Sequence, residues 1–273
     1  MADNSILTVN FLKHISATKQ HTQTCYISSI GFYLQEIDGR TPTAKNAIWF
    51  FDRLKEAGYS QSSINRHLAA VKSFFVANKI EWDSTLKSAF VSIYQQETPT
   101  ISIEDVKLLI KSTCKNGISS DMVYLALSTV YGLRRVELAR IVAEDVDKKN
   151  STLFIKTAKG GVERKHSIPK EIDFVKDFPF EEQSETTMSV LFTKICLLGG
   201  YIKKPNEGWH SVRRSIVSEF YLNTNIPEAW IRLFFRWAPA GTSQRYFATG
   251  VNPLVADRKI FEKHPFLEFW KEK

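Results

Sequence analysis

The stretch STLFIKTAKGGVERKHSIPK, residues 151–170, limits the fold more than any other. Here the apolar pattern switches to period two. Leu153 and Ile155 alternate with polar neighbours, Gly160-Gly161 supplies a turn, and the return strand ends at Pro169. The segments around it have apolar residues three and four apart, the spacing of amphipathic helices. One hairpin among helices predicts a mainly α chain with a small β-hairpin or sheet, an α+β fold.

Residues 1 to about 95 read as short helices separated by polar breaks. SILTVNFLKHIS and TQTCYISSIGFYLQEI have helical spacing, DGRTPT interrupts them, and TAKNAIWFFDRLKEAG closes at Gly58. SQSSINRHLAAVKSFFVANK then opens on serines suited to a cap and carries the stripe Ile64, Leu68, Val71, Phe74 and Phe75. Arg66 and Lys72 lie off that stripe and are candidate contacts for a partner of opposite charge. Pro99 and its polar neighbours mark a junction, and SIEDVKLLIKST restarts the helical pattern with Ser102 as cap and two acids in its first turn. The expected domains are therefore 1–96, a helical bundle, and 97–273, the α+β unit. EIDFVKDFPFEEQSE is acidic and is expected to open a helical stretch facing solvent.

Composition narrows the partners. The 273 residues carry 37 Lys and Arg against 29 Asp and Glu, a net charge of +8, which favours a polyanion such as DNA, RNA or an anionic membrane. Cys25, Cys114 and Cys196 are scattered, without a C-x-x-C pair, so neither a disulfide framework nor a zinc site is expected. The N-terminus lacks a signal pattern, and no run approaches the roughly 20 apolar residues that cross a bilayer. A soluble, cytoplasmic protein is expected, without membrane association. Walker and dinucleotide glycine patterns are absent, as are H-x-x-H and D-x-D, so no cofactor or metal is implied.

The basic residues of the second half gather at Arg134-Arg135, Lys156 to Lys170 and Lys203 to Arg214. In chain order the candidates for chemistry are Arg134, Lys159, His210, Arg213, Trp237 and Tyr246. This set matches what breaking a DNA phosphodiester without metal requires. Charge builds on the non-bridging oxygens, and two planar, permanently ionised guanidiniums suit them. A tyrosine can attack and keep the bond energy as a phosphotyrosine. Its hydroxyl, with an ordinary pKa of about 10, is helped by a nearby histidine base. A lysine can protonate the leaving oxygen, and an indole N–H can donate to the phosphate. In a helix, His210 and Arg213 share one face. Glu137 is placed to orient Arg134.

YGLRRVEL resembles the T-G-L-R-x-x-E-L box of the tyrosine recombinase (phage integrase) family, and AKGGVERKHSIP its G-K-G-x-K-x-R-x-V-P hairpin. HSVRRS is similar to H-x-L-R-[HR], and RLFFRWAPAGTSQRYF to L-x-x-x-L-G-H-x-x-x-x-x-T-x-x-Y, with Trp237 where the second histidine usually stands. SQSSINRHLAAVKSFF resembles the last large helix of the family's core-binding domain. The resemblance runs over nearly the whole chain. It implies a SAM-like core-binding domain and a catalytic domain closing around double-stranded DNA as a C-shaped clamp, with no small-molecule substrate. Arg134 and Arg213 would hold the phosphate, Lys159 protonate the 5′-hydroxyl, His210 accept the proton of Tyr246, and Trp237 donate a hydrogen bond. Strand exchange would pass through a 3′-phosphotyrosine and a Holliday junction in a homo-tetramer on two DNA sites.

The chain departs from the pattern in places. Arg236 replaces the glycine before the second histidine, Tyr131 replaces a threonine, and the longer hairpin leaves Lys156 as a competitor of Lys159. Arg135 and Arg214 are further candidate DNA contacts, whereas His166, Tyr201 and Tyr221 are assigned to structure. A type IB topoisomerase-like enzyme and an inactive DNA-binding relative remain as alternatives. The tail holds Phe261, Phe266, Leu267, Phe269 and Trp270, which suggests docking into a neighbouring protomer, with packing on its own domain as the alternative.

Overall fold

The computed structural model describes residues 4–89, 99–158, 161–238 and 252–271. Its contacts divide the chain into two compact units, Met1–Glu97 and Thr98–Lys273, each with its own buried hydrophobic cluster.

The first unit contains α1 (Asn4–Ile15), α2 (Gln20–Glu36), α3 (Ala44–Glu56) and α4 (Gln61–Ala77). Hydroxyl caps start two of them. The Thr43 side chain accepts from the Asn46 N–H at 3.2 Å, and Ser60 from the Ser63 N–H at 3.3 Å. Along α4 the stripe Ile64, Leu68, Val71, Phe74 and Phe75 is buried, and the helix packs on α1, α2 and α3. Tyr33 anchors the cluster, its ring edge-on to Phe50 at 5.3 Å and to Phe74 at 6.5 Å. Arg66 and Lys72 lie on the exposed side of α4.

The second unit opens with α5 (Ile103–Asn116), capped by Ser102, whose hydroxyl accepts from the Asp105 N–H at 3.0 Å. Next comes α6 (Ser119–Tyr131), the most deeply buried helix, followed by the single turn α7 (Arg135–Ala139). A three-stranded antiparallel sheet, β1 (Val146–Asp147), β2 (Thr152–Ile155) and β3 (Arg164–Ser167), pairs Val146 with Leu153 and Leu153 with His166. The expected hairpin is β2–β3. β1 adds an edge too short for period two to register.

Beyond the sheet, Lys170–Asp177 is a 3-10 helix that buries Ile172 and Val175, and Phe178 and Phe180 pack edge-on to Tyr124. The acidic stretch is therefore half core rather than solvent-facing. Its carboxylates point out while its apolar residues cover α6. The unit continues with α8 (Glu185–Leu198), α9 (Trp209–Asn223) and α10 (Glu228–Phe234), then the C-terminal helix Pro253–Phe261 and a 3-10 turn, Leu267–Trp270.

The tail follows the alternative reading, packing on its own unit. Phe266 and Trp270 are buried in the tail's own unit, the Trp270 indole N–H donates to Thr129 Oγ1 at 3.1 Å, and His264 Nε2 lies 2.9 Å from the Val130 carbonyl. Lys107 covers the Phe269 ring at 4.9 Å. The tail's polar atoms as well as its rings are satisfied by α6, which a count of aromatic residues does not reveal. Truncating Trp270 to alanine should cost about 3–5 kcal/mol, read as a lower urea midpoint at constant slope. A tail that belonged to a neighbour would leave the monomer's midpoint unchanged.

Candidate active site

The site forms where α6 ends. Gly132, at φ 58°, stops the helix in the left-handed region, and a Cβ there would lie 2.6 Å from the Phe235 ring. The chain turns through buried Leu133 to Arg134, whose extended backbone leads into α7. Glu137 then reaches back. Its Oε2 accepts from the Arg134 backbone N–H at 2.9 Å and its Oε1 from Arg134 Nη1 at 2.7 Å. Glu137 is 1% exposed. The Arg134 side chain is 21% exposed and reaches a cleft.

The second guanidinium comes from α9. Arg213 is 2% exposed, and donates from Nη1 to the Gly132 carbonyl at 2.6 Å and from Nη2 to the Phe235 carbonyl at 2.7 Å. His210 is exposed in the first turn of the same helix. The loop before that turn is pinned by Glu207, whose Oε2 accepts from the Tyr201 hydroxyl at 2.9 Å and the Lys204 N–H at 2.7 Å. Trp209 donates its indole N–H to the Met188 carbonyl at 2.7 Å, fixing the start of α9 against α8.

Trp237 follows α10 through a Schellman turn. Its N–H bonds to the Arg232 carbonyl at 3.0 Å and the Arg236 N–H to the Leu233 carbonyl at 3.1 Å, with Arg236 at φ 59°. The Arg213 guanidinium carbon lies 6.0 Å and that of Arg232 5.5 Å from the Trp237 ring centre. Arg134, His210, Arg213, Arg214 and Trp237 together line a cleft of about 350 Å³, and Arg134 and His210 also line an adjoining groove of about 720 Å³.

Electrostatics set this cleft apart. Arg134 and Arg236 pair with one carboxylate, Glu137, whose charge also acts on nearby Arg213. Burial, then Arg236 and Arg134, pull Arg213 well below the usual arginine range, with Glu137 opposing. Burial alone would raise the Glu137 carboxyl. Arg236, the Arg134 N–H and the Arg134 and Arg213 guanidiniums outweigh it and hold the group below its ordinary value. Guanidiniums in excess of carboxylate around a cleft make an anion site, and their planar donors fit a phosphate. Among the described residues no group of three or more His, Cys, Asp or Glu is placed to hold a metal ion. None of their helices is long and apolar enough to cross a membrane.

Of the residues singled out in the sequence, Arg134, His210, Arg213 and Trp237 come together on one cleft with Arg214, whose Nη1 also donates to the Pro99 carbonyl at 3.0 Å. Lys159 and Tyr246 lie outside the described residues. Lys156, the competing lysine, is held by Asp145 at 2.9 Å. Arg135 pairs with Glu185, at 2.8 and 3.0 Å, and with Ser189 at 3.1 Å, on the exposed surface. Arg66 and Lys72 belong to the first unit and are exposed there.

Sequence reasoning did not foresee the network behind the cleft. Arg236 bonds to Glu137 and His166, and Asp257 holds Arg164 Nη2 at 2.6 Å and lies 3.2 Å from His166 Nδ1. The one available signal was the arginine standing where the resembled motif has glycine.

Because Glu137 has a lowered pKa in the folded state, its stabilising contribution is complete above its ordinary value of 4.5 and is lost as pH falls through the folded value. Glu137→Gln should lower the melting temperature at pH 7, and the deficit should shrink below pH 4.5. Melting curves of both proteins from pH 7 to 3 check this. A constant deficit would assign the effect to packing rather than charge.

Residues 9–81 match the family described as phage integrase, N-terminal SAM-like domain. The chain is 28% identical over 158 residues to tyrosine recombinase XerA of Pyrococcus furiosus, covering 58% of this chain and 54% of that protein. It is 32% identical over 146 residues to XerA of Pyrococcus horikoshii, covering 52% and 50%. The chain thus spans about half the length of these curated relatives. A solved structure of a lambda integrase dimer bound to a COC′ core site shares the fold, with a TM-score of 0.66 at 14% identity over 90% of this chain and 76% of that one. In sequence and in fold the chain resembles the tyrosine recombinases.

Proposed function

We propose that this chain, with its likeness to the tyrosine recombinases, is a site-specific DNA recombinase that cuts and rejoins strands through a covalent tyrosine intermediate. The observation that carries this reading is the convergence of Arg134, Arg213, His210 and Trp237 on one cleft where guanidiniums outnumber carboxylates. A scissile phosphate placed there meets two guanidiniums before the reaction begins. Their donors are held by Glu137 and by backbone carbonyls, so little reorganisation is needed as charge builds on the non-bridging oxygens.

In the proposed reaction the Tyr246 hydroxyl attacks phosphorus and gives its proton to His210. The P–O5′ bond breaks, and the 5′-oxygen takes a proton from Lys159, leaving a 3′-phosphotyrosine. A 5′-hydroxyl from a second duplex then attacks phosphorus and displaces the tyrosine, so atoms and charge balance without an oxidant or a nucleotide. Asp145's hold on Lys156 at 2.9 Å occupies that ammonium, which supports Lys159 as the acid. The family match at residues 9–81 supports a DNA-clamping role for the first unit, with 1–96 and 97–273 as the two domains. The working assembly would be a homo-tetramer on two duplexes, acting inside the cell.

Covalent trapping tests the reading. Supercoiled DNA from the protein's own genetic element is incubated with wild type or Tyr246→Phe in EDTA, then quenched with SDS. A protein–DNA adduct is expected with wild type only. Arg213→Ala should slow its formation by about 10²–10³-fold, as when one transition-state donor is removed. Relaxed circles without exchanged products would move the reading to a topoisomerase. Tight binding with no adduct would move it to a binding protein.

A further inference from the structure

We propose that Arg236 is a positioning residue of this active site, its buried guanidinium locking Arg134, the hairpin and Trp237 into one arrangement. The inference rests on the strand-transfer reading above. Arg236 holds the place after α10 where the chain turns through the left-handed region, at φ 59°. Glycine is the usual occupant of such a turn, and the resembled motif has glycine there. An arginine in that conformation needs compensation from its side chain.

The compensation is a cage. Arg236 Nη2 donates to Glu137 Oε2 at 3.3 Å and to the Tyr131 carbonyl at 3.3 Å. Nη1 faces the Tyr131 carbonyl at 3.4 Å, the Phe234 carbonyl at 3.3 Å and His166 Nε2 at 3.2 Å. A guanidinium only donates, so Nε2 is the acceptor, and the proton of neutral His166 sits on Nδ1, 3.2 Å from Asp257. Burial, partly opposed by Asp257, pushes the His166 pKa down to about 4 and keeps the ring neutral. The Arg236 side chain is 0% exposed, so it does not touch substrate itself.

Each contact leads to a group with a proposed role. Glu137 carries Arg134 and also accepts from the Ala158 N–H at 3.3 Å, next to Lys159. The Arg236 carbonyl accepts from the Val162 N–H at 3.1 Å on the far side of the hairpin turn, and Trp237 is the next residue. The guanidinium itself joins Glu137, and through it Arg134, to His166 on the hairpin, while the backbone of the same residue holds Val162 and leads into Trp237.

The resembled hairpin motif carries arginine three residues before its proline, and His166 stands at that position here. The chain thus lacks a guanidinium on β3 and supplies one from the α10 turn to the same point. An arginine at 166 is longer than the imidazole it would replace, and its end would lie where Arg236 Nη1 now sits, within reach of Glu137. Moving the guanidinium from 236 back to 166 should therefore preserve function.

The test compares the full-length wild type with Arg236→Gly, Arg236→Lys and the double variant Arg236→Gly/His166→Arg. The readouts are DNA affinity, thermal melting and the rate of adduct formation on the DNA used above. Arg236→Gly should bind DNA within about threefold of wild type yet form adduct about 100-fold more slowly, the scale of a misplaced catalytic group. Arg236→Lys should fall between, and the double variant should recover to within about fivefold of wild type. A glycine variant at the wild-type rate, or a folded double variant with no recovery, overturns the inference. So does a loss of affinity, melting and rate together in both single variants, which would mark a purely structural arginine. If the glycine variants do not melt cooperatively, Arg236→Lys decides: slowed at unchanged affinity supports the role, and the wild-type rate overturns it. Absence of adduct from wild type itself defeats the strand-transfer reading and this inference with it. A wild-type adduct with unaffected variants defeats only this one.

Discussion

The buried carboxylate of Glu137 is the interaction on which the rest of the site depends. Leaving water costs an ionised carboxylate several kcal/mol, recovered only when its oxygens are fully used. They are used here: Oε1 accepts from Arg134 Nη1 and the Ala158 N–H, and Oε2 from the Arg134 N–H and Arg236 Nη2. Those donors come from the turn after α6, the end of β2 and the end of α10. A five-residue helix such as α7 has no stability of its own, because nucleation outweighs so few hydrogen bonds. What holds it is one carboxylate joined to three elements and Leu138 buried beneath it.

The same geometry leaves positive charge unbalanced. Two guanidiniums, Arg134 and Arg236, pair with Glu137, while Arg213, at 2% exposure, donates to two carbonyls. A left-handed conformation at Arg236 adds roughly 1–2 kcal/mol for a residue with a side chain. These costs concentrate beside the cleft. A site that carries its repulsion before an anion arrives holds its donors already aimed, and that is the arrangement in which fixed dipoles and charges stabilise developing charge most. Arg213 and Arg134 are suited to this because a guanidinium keeps its charge where a buried lysine would lose it.

Much of this was legible in the chain itself. Gly132 before Leu133-Arg134, with Glu137 three residues further on, predicts a helix stop, a turned-out arginine and its orienting acid, all local in sequence and all present. The α4 stripe and the Ser60 and Ser102 caps follow equally from short-range rules. What escaped prediction depends on distant contacts. Arg236 meets Glu137 across 99 residues and His166 across 70, and no periodicity encodes those distances. Phe266 and Trp270 were visible as apolar residues, yet their destination rests on Thr129 and Val130 of α6, more than 130 residues away. The acidic stretch misleads because its charge outweighs Ile172, which stands at a kink, and Val175, and the two are too few to form a recognisable stripe.

Arg164 extends the network to the segment that carries Tyr246. From β3 its Nη1 donates to the Leu233 carbonyl at 3.0 Å and its Nη2 to the Pro253 carbonyl at 2.8 Å, while Asp257 grips the same guanidinium at 2.6 Å. Leu233 lies just before Trp237, and Pro253 just after the cap Asn252. One buried side chain thus fixes both ends of the chain between them. Asp257 also accepts from the Ser167 N–H at 2.8 Å, which ties the C-terminal helix to β3, the strand that follows Lys159 in sequence. In the proposed reaction Tyr246 and Lys159 must meet the same phosphate, although they stand far apart in sequence. Anchoring the flanks of both to one buried ion pair sets the separation of those anchors by covalent geometry and hydrogen bonds, leaving only the intervening chain to close the distance.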